Sequence, residues 1–569
     1  MNRNLAYRIF IILIVLVAFG SSAFAAVKLP AIFGDNMVLQ SNMKVPMWGW
    51  ADAGEKVQVT FMGHSFKTIA GTDGKWNLKL NSNKPGGPYQ MTIKGNSGSF
   101  TYKNILIGEV WVASGQSNME FGIKNEKNGA EAVANAHDSL IHLFTVPISI
   151  SLNPQSDIDI AKAETLTGKW IVCSPENLLY DHTPWSGFSA IGYNFALHIR
   201  EISHAPVGII GTYKNGSPAQ AWISIEGLKV NSAFARYVNA REENIAHLDE
   251  ETKTYPQKIE VYKAALDQYT NTYAKPYNDS VKQWEAIKAK GGLVPPHPKP
   301  PKPAPSLPVP PDGGFSGPAN IFNAMVNPIL HYGIKGVIWY QGENNGDSFP
   351  AAINYKTLFL ALIENWRSEW QQSDFPFLFV QLANFRDPAV SPSEGNWPWV
   401  REGQSKALEL PKTGMAVAID LGDTYNIHPT DKQDVALRLS LAARHVAYGE
   451  NVVYSGPVYK SVEFKGDKAT LTFNNTSELK IGNETTMKVE NGTPLKGFGI
   501  AGADHKFYWA DATIVNNTVV VSSDKVSNPE AVRYNWADNP PGNLYNGAGL
   551  PASPFRTDNW TENLPVKTN

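Results

Sequence analysis

The pattern of hydrophobic and polar positions changes along the chain, and the first part alternates apolar and polar residues. It covers 26–105, where segments such as 44–50 and 56–61 alternate apolar and polar residues between turn sequences at 72–75 and 84–87. Alternation with a period of two predicts strands that bury one face, and their regular spacing is typical of a small β-sandwich. We therefore predict an N-terminal β domain over 26–105.

The middle of the chain, 106–450, combines continuous apolar runs with helix-like stretches. The runs have the length of buried strands and lie at 105–113, 207–211, 336–340, 377–382 and 415–419. Strands that alternate with helices predict βαβ units, in which helices cover both faces of a parallel sheet. The predicted fold class is therefore α/β.

A segment at 226–315 interrupts this alternation. Residues 226–290 are rich in Glu, Lys and Ala, which predicts two or more exposed helices. Ten prolines between Pro295 and Pro311 favour polyproline II, a semi-rigid spacer. The pattern leaves three interpretations open: a tolerated surface insertion, a wall of a substrate cleft, or an interaction surface.

Strand-like patterning returns over 451–569. The strand segments lie at 462–464, 469–473 and 518–521, and turn sequences at 465–468 and 491–492 separate them. This pattern predicts a second β module, packed either on the first one or on the α/β region.

The first 25 residues have the three-part pattern of a secretory signal peptide. Arg3 and Arg8 supply positive charge, 9–19 is an apolar core, and 23–25 is an Ala-Phe-Ala cleavage sequence. The pattern predicts an exported protein, periplasmic or extracellular, with no stable membrane span after cleavage. An uncleaved N-terminal membrane anchor is the alternative.

Composition excludes several classes of function. The formal net charge is −2, and a nucleic-acid partner requires a basic surface instead. The single cysteine, Cys173, leaves no internal disulfide, and we expect it to be a small buried residue. The chain has no HExxH, paired CxxC, P-loop or dinucleotide fingerprint, so we expect no metal and no nucleotide cofactor.

The apolar run at 105–113 leads into the sequence Gly-Gln-Ser-Asn-Met at 115–119. A serine presented at the end of a buried strand is typical of a nucleophile, because the reactive crevice of an α/β sheet lies at the carboxyl ends of its strands. Ser117 is therefore the candidate nucleophile. The alternative is an ordinary strand-to-helix turn, with Ser117 or Asn118 as the helix N-cap.

The run at 415–419 leads into a segment that ends in His428 and carries two carboxylates, Asp420 and Asp423. Serine is a weak nucleophile near neutral pH and needs a base within hydrogen-bond reach. His428 is the candidate base. Asp423 is the first candidate for the acid that orients it, and Asp420 is the second.

Two further apolar runs end in groups that are suited to holding an oxyanion. The run at 336–340 is followed by Gln341, Glu343 and Asn344, and the run at 207–211 is followed by Gly216. Acyl transfer requires hydrogen-bond donors aimed at the developing negative charge, and glycine permits a close backbone approach. The alternatives are helix capping for Glu343 and Asn344, and a simple turn for Gly216.

Taken in order, these motifs resemble the sialate O-acetylesterase-like carbohydrate esterases, a branch of the SGNH hydrolases. The main matching sequences are GQSNM at 115–119, WYQGEN at 339–344, and IHP at 427–429 with Lys-Gln at 432–433. Supporting matches lie at 188–193, 401–404, 531–534, 543–546 and 549–556. The resemblance extends from about residue 30 to about residue 558.

The resemblance implies an SGNH-type, flavodoxin-like three-layer catalytic domain, and the patterning at 26–105 and 451–569 predicts the N- and C-terminal β-sandwich-like modules that flank it. It also implies hydrolysis of O-acetyl esters on sugars. It assigns the nucleophile to Ser117 and the base to His428. An oxyanion hole would be formed by the backbone N–H groups of Ser117 and Gly216 together with Asn344, with Gln341 and Glu343 nearby.

One departure concerns the acid that orients the histidine. Many SGNH enzymes have an aspartate three residues before the histidine, and here that position is Tyr425. The orienting group therefore stays open between Asp423, Asp420 and a backbone carbonyl.

The substrate also stays open between an O-acetylated sialic acid and an acetylated xylan or pectin. A guanidinium that binds the sialate carboxylate would favour the first, and Arg401 and Arg533 are the candidates, although either is also consistent with a structural ion pair. Two other classes are a catalytically inactive glycan-binding protein and a glycoside hydrolase that uses Glu343 with an aspartate.

Overall fold

The computed structural model describes residues 27–560, except for 97, 165, 180, 183–184, 291–293, 300, 477 and 483–492. The predicted signal peptide at 1–25 and the predicted turn at 491–492 lie outside the described residues.

Seven strands form a central, mainly parallel sheet. They are β1 (Gly98–Gly115), β2 (Ile141–Thr145), β3 (Trp170–Val172), β4 (Val207–Tyr213), β5 (Gly336–Tyr340), β6 (Phe377–Gln381) and β7 (Thr413–Val417). Their order across the sheet is β7-β6-β5-β1-β4-β2-β3, and only the β2–β3 pair is antiparallel. The chain first builds the side that contains β4 and then the side that contains β5. The carboxyl end of β1, between them, is where an open α/β sheet binds its ligand.

Helices connect these strands. The longer ones are α1 (Ala190–Ser203), α2 (Ala235–Ala246), α3 (Leu248–Tyr269), α4 (Lys275–Ala289), α5 (Phe349–Trp370), α6 (Trp397–Lys406) and α7 (Lys432–Val446). Single turns of helix lie at Ser117–Glu120, Gly129–Ala134, Pro175–Leu178 and Ile225–Lys229. Helix α1 packs on α7, and α5 packs on α6. The predicted α/β class with a parallel sheet is confirmed.

Every residue of β4, β5 and β6 is buried. Strands buried on both faces have continuous apolar sequences instead of alternating ones, which explains the runs seen in the sequence. Trp339 of β5 lies edge-on between Trp222 and Trp366, at ring-centroid distances of 5.7 and 5.8 Å. Cys173 is buried, as expected.

The N-terminal strands join the central sheet through β1. They are Val38–Gln40, Pro46–Trp50, Lys56–Phe61, His64–Ile69, Lys75–Lys79 and Gly86–Gly95. The first part of β1 pairs antiparallel with Gly86–Gly95, and its last part pairs with β4 and β5. One continuous strand of 18 residues therefore crosses the position at which the sequence predicts a domain boundary.

The C-terminal strands form smaller sheets around a hydrophobic cluster of their own. They are Val458–Lys465, Lys468–Asn474, Leu479–Ile481, Phe498–Ala501, Tyr508–Trp509, Asp511–Val515, Thr518–Ser522, Ala531–Tyr534, Leu544–Asn546 and Phe555–Arg556. Leu471, Ile500 and Val519 lie in the centre of this cluster and are fully buried.

The insertion is helical where the sequence predicts helices. It contains α2, α3 and α4, and neither α3 nor α4 contributes a buried residue. Arg241 of α2 is buried and donates to the Pro318 carbonyl and to Asn320 Oδ1, both at 3.0 Å, which joins α2 to the α/β region. Within the described part of the chain, no helix has the length and apolar character that crossing a membrane requires.

Candidate active site

The backbone after β1 turns sharply and presents Ser117. Gly115 has a φ of 137°, and a Cβ atom at this position would overlap the carbonyl oxygen of Tyr340 on β5. Glycine is therefore required where the two strands approach each other. Gln116 then donates its backbone N–H to the same carbonyl at 2.9 Å, and Ser117 opens the single helical turn that follows.

Ser117 meets His428, which lies 311 residues further along the chain. The Nε2 atom of His428 is 2.9 Å from Ser117 Oγ. Gln116 is the N-cap residue of the short helix, and its side chain makes no cap bond, so the capping interpretation of Ser117 and Asn118 is wrong. A serine hydroxyl on an imidazole nitrogen is the nucleophile–base arrangement of acyl transfer.

His428 is held from two sides on the loop between β7 and α7. Asn426 Oδ1 accepts the backbone N–H of His428 at 2.9 Å, and the indole ring of Trp185 packs against the imidazole at a centroid distance of 4.8 Å. Burial, together with the positive charge of Lys432, lowers the pKa of His428 to about 4. The imidazole is therefore neutral at neutral pH, which is the form that accepts a proton.

The two candidate orienting acids have other partners. Asp423 Oδ1 accepts the backbone N–H groups of Tyr425 and Asn426 at 2.7 and 3.0 Å. Asp420 binds Arg438 through both oxygens, at 2.5 and 2.8 Å. Among the described residues, no hydrogen bond joins either carboxylate to His428.

The predicted oxyanion donors lie at the same sheet edge. Gly216 is in the left-handed region with a φ of 68°, and a Cβ atom there would have no neighbour within 4 Å, so its surroundings are open. Asn344 Nδ2 donates to the Gly216 carbonyl at 2.9 Å, which leaves the second N–H of that amide for a ligand. The backbone N–H of Asn344 donates to Gln116 Oε1 at 3.2 Å.

Gln341 lies behind this edge and is fully buried. Its Nε2 donates to Asn345 Oδ1 at 2.7 Å, and its Oε1 accepts from the Tyr355 hydroxyl at 3.0 Å. Nε2 also lies 3.3 Å from the carbonyl of Ser217, the residue after Gly216. Gln341 therefore supports the Gly216 loop from inside the protein.

Glu343 belongs to a buried polar network that the sequence did not reveal. Glu343 Oε1 accepts from Asn118 Nδ2 at 2.5 Å, and Asn118 Oδ1 accepts from Lys432 Nζ at 2.6 Å. Asn118 Nδ2 also donates to the carbonyl of Ile427, next to His428, at 3.1 Å. The network therefore joins the nucleophile turn, the Asn344 turn and the histidine loop.

Both charged members of this network are enclosed by protein. Burial lowers the pKa of Lys432 to about 7 and raises the pKa of Glu343. Glu343 is at the N-cap position of the turn Asn344–Asp347 but makes no side-chain cap bond, so the capping interpretation is wrong for it. The sequence signal for this network was the presence of Asn118 and Lys432 in the matching motifs, without a role for either.

Glu120 is a second buried carboxylate at the site that the sequence patterns did not identify. It is fully buried one turn after Ser117, and its Oε2 accepts the backbone N–H of Asn215. Asn215 immediately precedes Gly216, so this bond fixes the Gly216 loop against the nucleophile turn.

The two arginines considered for binding a sialate carboxylate have structural partners. Arg401 is fully buried and donates to four backbone carbonyls, those of Leu382, Ala383, Ala537 and Asp538. Arg533 forms ion pairs with Glu394 and Asp558. Their use as a carboxylate clamp is therefore not supported, because each guanidinium is already bound inside the protein.

Comparison with known proteins shows that the chain is similar to carbohydrate esterases. Residues 316–447 match the family described as carbohydrate esterase, sialic acid-specific acetylesterase. Sialate O-acetylesterase of Rattus norvegicus is 27% identical over 571 residues, covering 92% of this chain and 93% of the relative. The enzyme of Homo sapiens is 27% identical over 580 residues, covering 94% and 93%. A carbohydrate acetylesterase from Xanthomonas citri superposes with a TM-score of 0.72 at 34% identity, covering 94% of this chain and 100% of that one.

Proposed function

The chain belongs to the sialate O-acetylesterase-like carbohydrate esterases and is a carboxylic ester hydrolase, and from this premise we propose that it removes O-acetyl groups from sugars through an acetyl-enzyme on Ser117. The observation that carries the proposal is the 2.9 Å contact between His428 Nε2 and Ser117 Oγ. The lowered pKa of His428 supports it, because the base is unprotonated before attack.

The reaction has two acyl transfers. In the first, Ser117 Oγ attacks the acetyl carbonyl while His428 Nε2 takes its proton, and the sugar oxygen leaves with that proton. In the second, water attacks the acetyl-enzyme, His428 takes a proton from the water, and Ser117 Oγ leaves with it as acetate is released.

The negative charge of each tetrahedral intermediate falls on the former carbonyl oxygen. The backbone N–H groups of Ser117 and Gly216 and the second amide N–H of Asn344 are the donors for it. Donors that are fixed before the reaction need no reorganisation during it, which is why such groups lower the barrier strongly. Glu120 and Gln341 keep the Gly216 loop in place for this purpose.

Asp423 acts through the loop. Its carboxylate holds the N–H groups of Tyr425 and Asn426, and the Asn426 side chain holds the N–H of His428. The catalytic unit is thus a Ser117–His428 dyad with Asp423 as a positioning residue.

A polysaccharide acetylesterase is the second candidate within the same chemistry. It is favoured by the structural partners of Arg401 and Arg533, because the two guanidinium groups considered for a sialate carboxylate are occupied.

The proposal also covers the layers of the catalytic domain and the cellular location of the protein. We infer an SGNH-type, flavodoxin-like three-layer arrangement for 106–450, flanked by β-sandwich-like modules, from the strand order and the position of Ser117 at the carboxyl end of β1. We infer export to the periplasm or the cell exterior from the sequence of residues 1–25.

The test is acetate release from O-acetyl sialic acid, acetylated xylan and acetylated pectin. Ser117→Ala is the inactive variant, and Ser203→Ala, at the end of α1, is the control. Release from one substrate that disappears only in Ser117→Ala supports the mechanism and names the substrate class. Release that persists in Ser117→Ala, or no release from any of the three, contradicts it.

A further inference from the structure

The insertion reaches the loop that carries His428. Trp284 of α4 and His297 of the proline-rich segment meet Tyr425, which precedes His428 by three residues. The His297 and Tyr425 rings are stacked, with centroids 3.9 Å apart and planes 8° apart. Trp284 lies edge-on to both, at 4.8 Å from His297 and 6.2 Å from Tyr425. We call Trp284, His297 and Tyr425 the aromatic cluster.

The cluster is fixed by its own polar contacts. Trp284 Nε1 donates to the carbonyl of Pro295 at 2.7 Å, and the Nδ1–H of His297 donates to the carbonyl of Pro298 at 2.8 Å. Proline fixes φ, so the segment that carries His297 has little conformational freedom to lose on binding a ligand. The rings are therefore preorganised, which lowers the entropic cost of recognition.

The cluster is exposed and is not part of a hydrophobic core. Tyr425 is 55% exposed, and Trp284 and His297 are partly exposed. Neither α3 nor α4 contributes a buried residue, so the insertion does not hold these rings in order to complete a core. Aromatic rings with a polar edge, held at the protein surface, are typical of ligand contacts, because they offer apolar area and a hydrogen bond together.

The distance between the aromatic cluster and His428 limits which part of a bound ligand the cluster can contact. Three residues span roughly 10 Å when fully extended, so Tyr425 is at most this far from His428 along the backbone. The cluster is therefore close enough to His428 to hold a neighbouring unit of a glycan whose acetyl ester lies at Ser117. The apolar C–H face of a sugar ring matches an aromatic face, and its hydroxyl groups match the tyrosine hydroxyl and the imidazole.

We propose that the aromatic cluster is a glycan-binding wall of the active site, which takes sugar units next to the acetylated one. The insertion at 226–315 then determines which acetylated glycans are hydrolysed, and its ligand is a carbohydrate of two or more units. This inference rests on the proposed function, because it places the acetyl ester at Ser117. The competing role is a mechanical brace that only holds the histidine loop.

The two roles differ in how they depend on substrate size. The variants are Trp284→Ala and His297→Ala, and the substrates are acetylated xylan, acetylated pectin and p-nitrophenyl acetate, which has no sugar. The wall is overturned if the wild-type protein hydrolyses neither polysaccharide. The wall predicts that the ratio of kcat/KM for the glycan to kcat/KM for p-nitrophenyl acetate falls about tenfold or more, mainly through KM. Trp284→Phe should restore part of the loss.

Tyr273 provides a matched control on the same insertion. It is 38% exposed, and Lys302 Nζ lies 4.6 Å from its ring centroid, so it also joins a helical segment to the proline-rich one. Its ring pairs with Tyr269, and among the described residues it has no ring contact with Tyr425. Tyr273→Ala should leave the ratio unchanged. An unchanged ratio in Trp284→Ala and His297→Ala overturns the proposal that the cluster is a glycan-binding wall. The same holds if the variants lose activity equally on the glycan and on p-nitrophenyl acetate.

A binding measurement separates this inference from the mechanism. Calorimetric titration of Ser117→Ala and of Ser117→Ala with Trp284→Ala, using an acetylated xylan oligosaccharide and an acetylated pectin oligosaccharide, needs no turnover. The wall predicts an increase of about tenfold in the Kd of at least one oligosaccharide in the double variant. Equal Kd values in the two variants, or no binding by either, overturn the wall, whereas persistent acetate release by Ser117→Ala would contradict only the mechanism.

Discussion

The charge on Lys432 acts directly on the base. Lys432 is fully buried on the first turn of α7, and its positive charge adds to burial in lowering the pKa of His428 to about 4. A neutral imidazole is the active form, so kcat/KM should stay high through neutral pH and fall as the pH drops through about 4.

Lys432→Met removes that charge and should raise the pKa of His428. The acid limb of the kcat/KM profile for p-nitrophenyl acetate should then move to higher pH, because a protonated imidazole no longer faces an ammonium group. Lys127→Met is the control, since Lys127 pairs with Asp431 next to α7 but is exposed. An acid limb at the wild-type position in Lys432→Met would show that Lys432 does not influence the base.

The two aspartates near His428 should respond differently to the same isosteric change. In Asp423→Asn the amide oxygen still accepts the N–H groups of Tyr425 and Asn426, so a positioning role predicts a loss of kcat of about tenfold or less. A carboxylate that orients the histidine directly would cost about 10⁴-fold. A loss of that size in Asp423→Asn would restore Asp423 as a triad member.

Asp420→Asn should instead destabilise the protein. It leaves the buried Arg438 guanidinium without its carboxylate, and breaking a buried pair costs about 3–5 kcal/mol. Urea unfolding measures this loss, and the kcat of the folded variant should be close to that of the wild type. Unchanged stability together with a large loss of kcat would point to a catalytic role for Asp420.

At the scale of elements, the sequence predicted the parts of the site that lie at strand ends. The last part of β1 and the strands β4, β5 and β7 are continuous apolar runs, and the residue types that follow them are those of acyl-transfer chemistry. The partners of Asp423 and Asp420 were not predictable, because they depend on the path of one loop and on the position of Arg438 in three dimensions. The Glu343–Asn118–Lys432 network joins positions up to 314 residues apart, for which the sequence has no local signal.

Two glycines at the site should respond differently to the same substitution. Gly115→Ala places a Cβ atom against the Tyr340 carbonyl and should lower the free energy of unfolding by about 3 kcal/mol or more. Gly216→Ala meets open space, so only its left-handed φ opposes the change, at a cost of about 1–2 kcal/mol. Urea unfolding of both variants tests this order, and a larger loss for Gly216→Ala would contradict it.

At the scale of the whole molecule, two arginines, the buried Arg401 and the partly buried Arg556, join the C-terminal region to the α/β region. Arg401 of α6 donates to the carbonyls of Ala537 and Asp538, and Arg556 forms an ion pair with Glu402 of the same helix. Tyr545, on a C-terminal strand, also donates to Asp420 at 3.2 Å. The sequence predicted two β modules but not these contacts, because arginine patterns do not show whether a guanidinium lies inside or outside a protein.

These contacts predict that the C-terminal strands and the α/β region unfold together. Arg401→Met keeps much of the side-chain volume but removes the donor of four carbonyls in a buried site, those of Leu382, Ala383, Ala537 and Asp538. The free energy of unfolding should therefore fall by about 3 kcal/mol or more. Calorimetry of the wild-type protein should show one cooperative transition, and that of Arg401→Met should show a lower Tm. Two separate transitions in the wild-type protein, with esterase activity retained after the first, would show instead that the C-terminal strands are an independent unit.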